Sequence, residues 1–207
     1  MGDNKILFLI SGKVGVGKDT VANYMAELFA DREVSVFRQP MAGPLKGVLV
    51  DLVKLFTGAP MTMDELDVLK DDEHARIGDS DYNVRGLLFH VSNIVKRRLP
   101  HIWVRVFIEA WAASGAQVGI VPDIRFDELE GFGALLPANG LAGLAVYHVE
   151  VQGPARDRAY WDVDIVNTVP ATSSTLVFTN KYATLAECRA GVRAFVGKIV
   201  ESQRALV

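Results

Sequence analysis

Gly12-Lys13-Val14-Gly15-Val16-Gly17-Lys18-Asp19-Thr20 follows directly on the apolar run Ile6-Leu7-Phe8-Leu9-Ile10 and a single Ser11. From Gly12 to Lys18 it satisfies the phosphate-loop pattern G-x-x-x-x-G-K, which calls next for a Ser or Thr whose hydroxyl meets magnesium. Asp19 stands there instead, and Thr20 comes one residue late. The flanks decide how this is read. A short apolar run closed by a turn signal predicts a strand buried on both faces of a parallel sheet. After the loop, Val21, Met25, Leu28 and Phe29 recur at helical spacing, predicting a helix over 18–30. Strand, glycine loop and helix together form the setting in which the pattern holds phosphate.

The remaining chain repeats this alternation. Strands are predicted at Val34–Arg38, Gln117–Pro122, Leu144–Val151 and Thr175–Asn180, and helices at Pro44–Phe56, Asn83–Arg98, Trp103–Ala113 and Leu185–Val200. Gly131–Gly143 reads as a short helix and loop. The acidic stretch Thr62–Ala75 reads as a weak helix, exposed and mobile, its carboxylates forming a solvated face. Gly153–Asp164 reads as a polar loop. The expected class is α/β: a P-loop NTPase-type fold with a central five-stranded parallel sheet flanked by helices. The whole of 1–207 is read as one domain, with a helical insertion at about 41–113 and a lid loop at about 153–164.

Composition narrows the function classes. Half of the 207 residues are hydrophobic, 23% are charged and the net charge is -3, as in an ordinary globular chain. No broad basic field is available to hold long nucleic acid. The single cysteine, Cys188, excludes an internal disulfide framework, reads as a buried apolar residue and fits a reducing cytoplasm. The apolar run at 6–10 is too short for a signal-peptide core or a membrane span, so the chain is expected to be cytoplasmic and free of membrane. His74, His90, His101 and His148 have no metal-ligand spacing.

The loop chemistry is electrostatic. Gly12, Gly15 and Gly17 let the backbone close around phosphate oxygens, the helix start favours an anion, and Lys18 supplies a point charge. Thr20 meets phosphate or magnesium, and Asp19 is a second candidate for the metal, directly or through water. The arrangement G-K-x-[ST] resembles the loop of nucleoside monophosphate kinases.

Further stretches extend the likeness to most of the chain, in order. Gly12–Thr20 with Val21-Ala22 resembles the S-G-x-x-x-x-G-K-D-T-x-A opening of phage-type deoxynucleoside monophosphate kinases. Met41-Ala42-Gly43-Pro44-Leu45-Lys46 is similar to their F-A-D-P-L-K, and Arg85-Gly86-Leu87-Leu88-Phe89 with Trp103-Val104 to their R-x-L-L-Q…W-V. Asp123-Ile124-Arg125-Phe126-Asp127-Glu128 is similar to their D-x-R-F-x-x-E, and Asn180 with Ala183-Thr184-Leu185 to their closing N-x-x-T-L. Phe89 stands where the family usually has Gln, and Gly43 where it usually has Asp; these departures leave the accepted base open.

The resemblance implies γ-phosphoryl transfer from ATP, with Mg2+, to a deoxynucleoside monophosphate. Lys18, Asp123 and Arg125 would then be catalytic, Asp123 organising magnesium through water or holding a basic partner; the bland alternative for Asp123 is a cap on the next helix. Arg38, Lys46, Arg85, Arg125 and Trp161 are the acceptor candidates, and Arg156 and Arg158 the lid candidates. A guanidinium suits phosphate because it donates two parallel hydrogen bonds. The bland alternative for each arginine is a surface ion pair, and for Trp103 and Trp161 packing. The resemblance also makes a homodimer plausible. Rival readings are a kinase of another small metabolite (a coenzyme A precursor or phosphomevalonate) and a nucleotide-dependent ATPase switch, for which Gly119-Ile120-Val121-Pro122-Asp123 is a partial match.

Overall fold

The computed structural model describes residues 5–13, 15–70, 72, 74–77, 83–141, 143–154 and 175–204. They form β1 (Ile6–Ser11), α1 (Lys18–Ala30), β2 (Val36–Arg38), α2 (Gly43–Thr57), α3 (Met63–Lys70), α4 (Val84–Arg98) and α5 (Ile102–Ser114). β3 (Val118–Val121), α6 (Phe126–Ala138), β4 (Ala145–Gln152), β5 (Thr175–Thr179) and α7 (Leu185–Arg204) follow. The chain divides into two compact units, Met1–Pro40 with Phe107–Val207, and Met41–Val106.

The first unit contains the five-stranded sheet, ordered β2-β3-β1-β4-β5 and parallel throughout. This is the P-loop NTPase-type fold expected from the alternation. Leu9 pairs with Val121, Ser11 with Glu150, Arg38 with Ile120 and Gln152 with Thr179. Because all strands run one way, all five carboxyl ends share one edge, where open α/β sheets collect ligands.

Each face of β1 serves one helical layer, as strand alternation requires. Phe8 and Ile10 pack with Val21, Met25 and Phe29 of α1 and Val192 and Val196 of α7, all buried. Each such side chain contributes about 1.5–3 kcal/mol by leaving water. On the other face Leu7 lies within 3.0 Å of the place where a Gly119 Cβ would be, and Trp111 of α5 is equally close to it. The absent side chain lets the indole lie against the sheet, its Nε1 donating to the Ala116 carbonyl at 3.0 Å. Phe107 joins Trp111, Phe132 of α6 and Phe37 in an aromatic cluster. Cys188 is buried as expected.

Within Met41–Val106, α2 opens with a proline in its first turn and closes on Gly58 in the left-handed region (φ 70°). The Asn83 side chain caps α4 by accepting from the Gly86 N–H at 2.7 Å. Trp103 is packed, its indole N–H bonded to Ser92 Oγ at 3.1 Å.

Two local expectations are corrected. The acidic stretch after residue 62 contains α3, whose Leu66 is fully buried, so the segment is anchored by an apolar side chain. The helix expected from Gly131 begins at Phe126: the Glu128 carboxylate accepts from the Arg125 N–H at 2.8 Å, closing the first turn five residues earlier. Among the described residues no helix is long and apolar enough to cross a membrane.

Candidate functional site: a phosphate loop at the carboxyl edge

Ser11 ends β1 and the chain must turn at once towards α1, beneath which the sheet is packed. Gly12 turns with φ 142°, and a Cβ there would run into the Val151 carbonyl of neighbouring β4. Gly17 turns with φ 91°, and its carbonyl accepts the Val21 N–H at 3.0 Å as α1 starts. At these two positions a side chain is excluded both by backbone conformation and by space.

Lys18, the first residue of α1, folds back over the loop. Its Nζ donates to the carbonyls of Gly12 and Lys13, each at 2.9 Å. Burial lowers the ammonium below the usual lysine value; the charges of Asp123 and Asp19 oppose that shift, and Arg125 adds to it. The loop lysine, both acidic candidates and Arg125 therefore lie within one electrostatic neighbourhood. A partly desolvated ammonium attracts a phosphate more strongly than a hydrated one.

Asp123 reaches this place through the backbone. Following β3, the Ile124 N–H donates to the Ile10 carbonyl at 3.0 Å, which ties the Asp123 segment to the end of β1. The helix cap is Arg125, two residues later, so Asp123 does not cap α6. Asp19 lies in the first turn of α1 and is 71% exposed; its Oδ1 accepts from Arg38 Nη2 at 2.8 Å. That contact brings Arg38, from the end of β2, to the loop side of the edge. Thr20 is half-buried in the same first turn.

The other candidates are distributed differently. Lys46 lies in Met41–Val106 and is held by Asp67 Oδ1 at 2.5 Å, an oxygen shared with Lys70 at 2.7 Å. Arg85 is in the first turn of α4, half-buried, with its Nε inaccessible to solvent. Arg156, Arg158 and Trp161 lie outside the described residues, as do Val14 and most of the expected lid.

Two contributors to the site carry no role in the sequence reading: His148 belongs to no motif, and Asn180 enters only as part of the N-x-x-T-L likeness. His148 of β4 bonds through Nε2 to Ser11 Oγ (2.8 Å) and through Nδ1 to Thr175 Oγ1 (3.0 Å), supporting the residue from which the loop departs. Burial lowers its pKa below the usual histidine value, against the opposing charge of Glu150. Asn180, just past β5, donates from Nδ2 to the Val16 carbonyl at 2.8 Å. The partners lie 137 and 164 residues apart, so neither contact has a local signature.

Among the described residues no three His, Cys, Asp or Glu side chains converge into a metal site. Mg2+ in phosphoryl-transfer sites takes its ligands largely from water and nucleotide, with one or two from protein. The Thr20 hydroxyl and the carboxylates of Asp19 and Asp123 are oxygen donors of the kind that smaller demand calls for. Neither the family models nor the curated proteins searched contain a match to the chain.

Proposed function

We propose that the chain is a deoxynucleoside monophosphate kinase, which moves the γ-phosphoryl group of ATP onto a deoxynucleoside 5′-monophosphate. The observation that carries the donor half is Lys18: a half-buried ammonium folded over a glycine loop at a strand's carboxyl end, within reach of the charges of Asp123 and Arg125. The acceptor half rests on the resemblance of the segments around Lys46, Arg85, Arg125 and Asn180.

Phosphoryl transfer makes few covalent demands on a protein. It needs the two polyanions aligned, their charge neutralised and water excluded. The loop N–H groups and the start of α1 would receive the ATP phosphates, and Lys18 would exchange its two carbonyl partners for phosphate oxygens. Arg125 and Arg38 would offer guanidinium groups to the acceptor phosphate; Lys46 and Arg85, and Arg156, Arg158 and Trp161 outside the described residues, are acceptor and lid candidates through the resemblance alone. An acceptor phosphate oxygen attacks the γ-phosphorus, the bond to the β-phosphate oxygen breaks, and ADP leaves. Thr20 would hold Mg2+, with Asp123 through water; Asp19 is the weaker candidate because Arg38 already engages it. The ion would supply charge neutralisation at the β- and γ-phosphates.

The test is a coupled assay of ADP formation with MgATP and each of dAMP, dGMP, dCMP, dTMP and 5-hydroxymethyl-dCMP. Turnover should require one or more of these acceptors and fall at least about a hundredfold in Lys18→Ala, as when a charge-stabilising donor is removed. ADP produced equally without acceptor would replace this reading with an ATPase. Silence with all five acceptors, alongside turnover of a phosphorylated metabolite, would replace it with a metabolite kinase.

A further inference from the structure

Asn180 is tied to backbone through both its own N–H and its side chain. Its own N–H donates to the Gln152 carbonyl at 2.6 Å, continuing the β4–β5 ladder by one rung. A Cβ on Gly153 would stand 2.5 Å from its carbonyl oxygen, and a Cβ on Gly17 would stand 2.7 Å from its Nδ2. From this position the side chain donates to the carbonyl of Val16, a buried residue.

In a planar trans peptide the carbonyl and the following N–H point in opposite directions. Holding the Val16 carbonyl towards Asn180 therefore turns the Gly17 N–H away from Asn180, and in the kinase reading that N–H donates to phosphate. Glycine is needed at 17 to let Asn180 approach, yet glycine also lets a peptide turn over at little cost. A turned Val16–Gly17 peptide would present a carbonyl oxygen to an incoming phosphate.

We infer that Asn180 is a positioning residue for the phosphate loop, fixing the Val16–Gly17 peptide in its anion-receiving orientation. The loop-orienting part stands on the contacts above; its consequence for nucleotide affinity rests on the kinase reading. Asn180→Asp keeps the size and sets an acceptor against the Val16 carbonyl, so it favours the turned peptide. Asn180→Ala removes the bond without favouring either orientation.

Amide hydrogen exchange of the ligand-free protein, followed over 12–18 and over 6–11, separates loop from scaffold. We expect exchange at 15–18 to accelerate at least about tenfold in Asn180→Asp, with 6–11 unchanged and Asn180→Ala in between. Titration with MgADP should show affinity reduced by about thirtyfold or more in Asn180→Asp. Loop exchange and affinity within twofold of the unaltered protein in both variants would overturn the inference. So would acceleration spread equally over 6–11, which would mark a general loss of stability. An unaltered protein that does not bind MgADP, with variants that still free the loop, would retain the positioning role and defeat the kinase reading.

Discussion

Around Gly12–Lys18 the constraints lie in the backbone, whereas in Met41–Val106 they lie in side chains. The loop is shaped by positive φ at Gly12 and Gly17, by the Val151 carbonyl pressed against Gly12, and by bonds to the carbonyls of Gly12, Lys13 and Val16. Met41–Val106 is held by burial of Leu45, Leu49, Leu66, Val84 and Leu88 and by Asp67 between two lysines, while Leu55 and Val68 stay exposed. Backbone constraints admit few residue types and so leave a motif. Burial accepts many apolar combinations of suitable volume and leaves only a periodicity.

The contrast can be broken most severely at Gly12. Gly12→Ala forces a Cβ against the Val151 carbonyl in a conformation that alanine avoids, and should cost about 3–5 kcal/mol by denaturant unfolding. A loss below about 1 kcal/mol would show that the loop relaxes and that its geometry is not rigidly imposed. Leu66→Ala probes the other region. It should cost about 2–4 kcal/mol and accelerate hydrogen exchange over 84–98, leaving exchange over 6–13 nearly as before. Equal acceleration in both regions would show the two units unfolding as one.

Two pH effects sharpen the comparison. His148 has its folded-state pKa lowered by burial, so the unfolded chain takes up its proton first. Above pH about 6.5 the group contributes no change; as pH falls through that value stability should decline, levelling below the lowered folded value. His148→Gln should flatten this step in Tm against pH. The smallest effect is at Asp67. Burial would raise its carboxyl, but hydrogen bonds and charge from Lys46 and Lys70 outweigh it and hold the pKa below the usual carboxylate value. Its contribution is present above pH about 4 and lost as pH falls through the lowered folded value. Because the carboxylate is partly exposed, Asp67→Asn at neutral pH should cost about 0.5 kcal/mol.

Much of this architecture was legible along the chain. β1, the loop and α1 were announced together because an apolar run, three glycines and a helical period are each local signals. The start of α6 is hidden in the sequence: Phe126-Asp127-Glu128 fits a motif, although an acidic residue three places after Arg125 is also a helix-start signal. The many carboxylates of α3 give it a solvated pattern that conceals its buried residue, Leu66.

The sequence by itself determined the strand–loop–helix unit, the alternation that demands a parallel sheet, and Lys18 as the charge at its edge. Those follow from backbone freedom and from periods of two and 3.6, which act within a few residues. Only the tertiary structure decided the strand order β2-β3-β1-β4-β5, the support of Ser11 by His148, and the hold of Asn180 on Val16. Pairing between residues more than a hundred positions apart is selected by which faces can be buried together, and no local pattern records that choice.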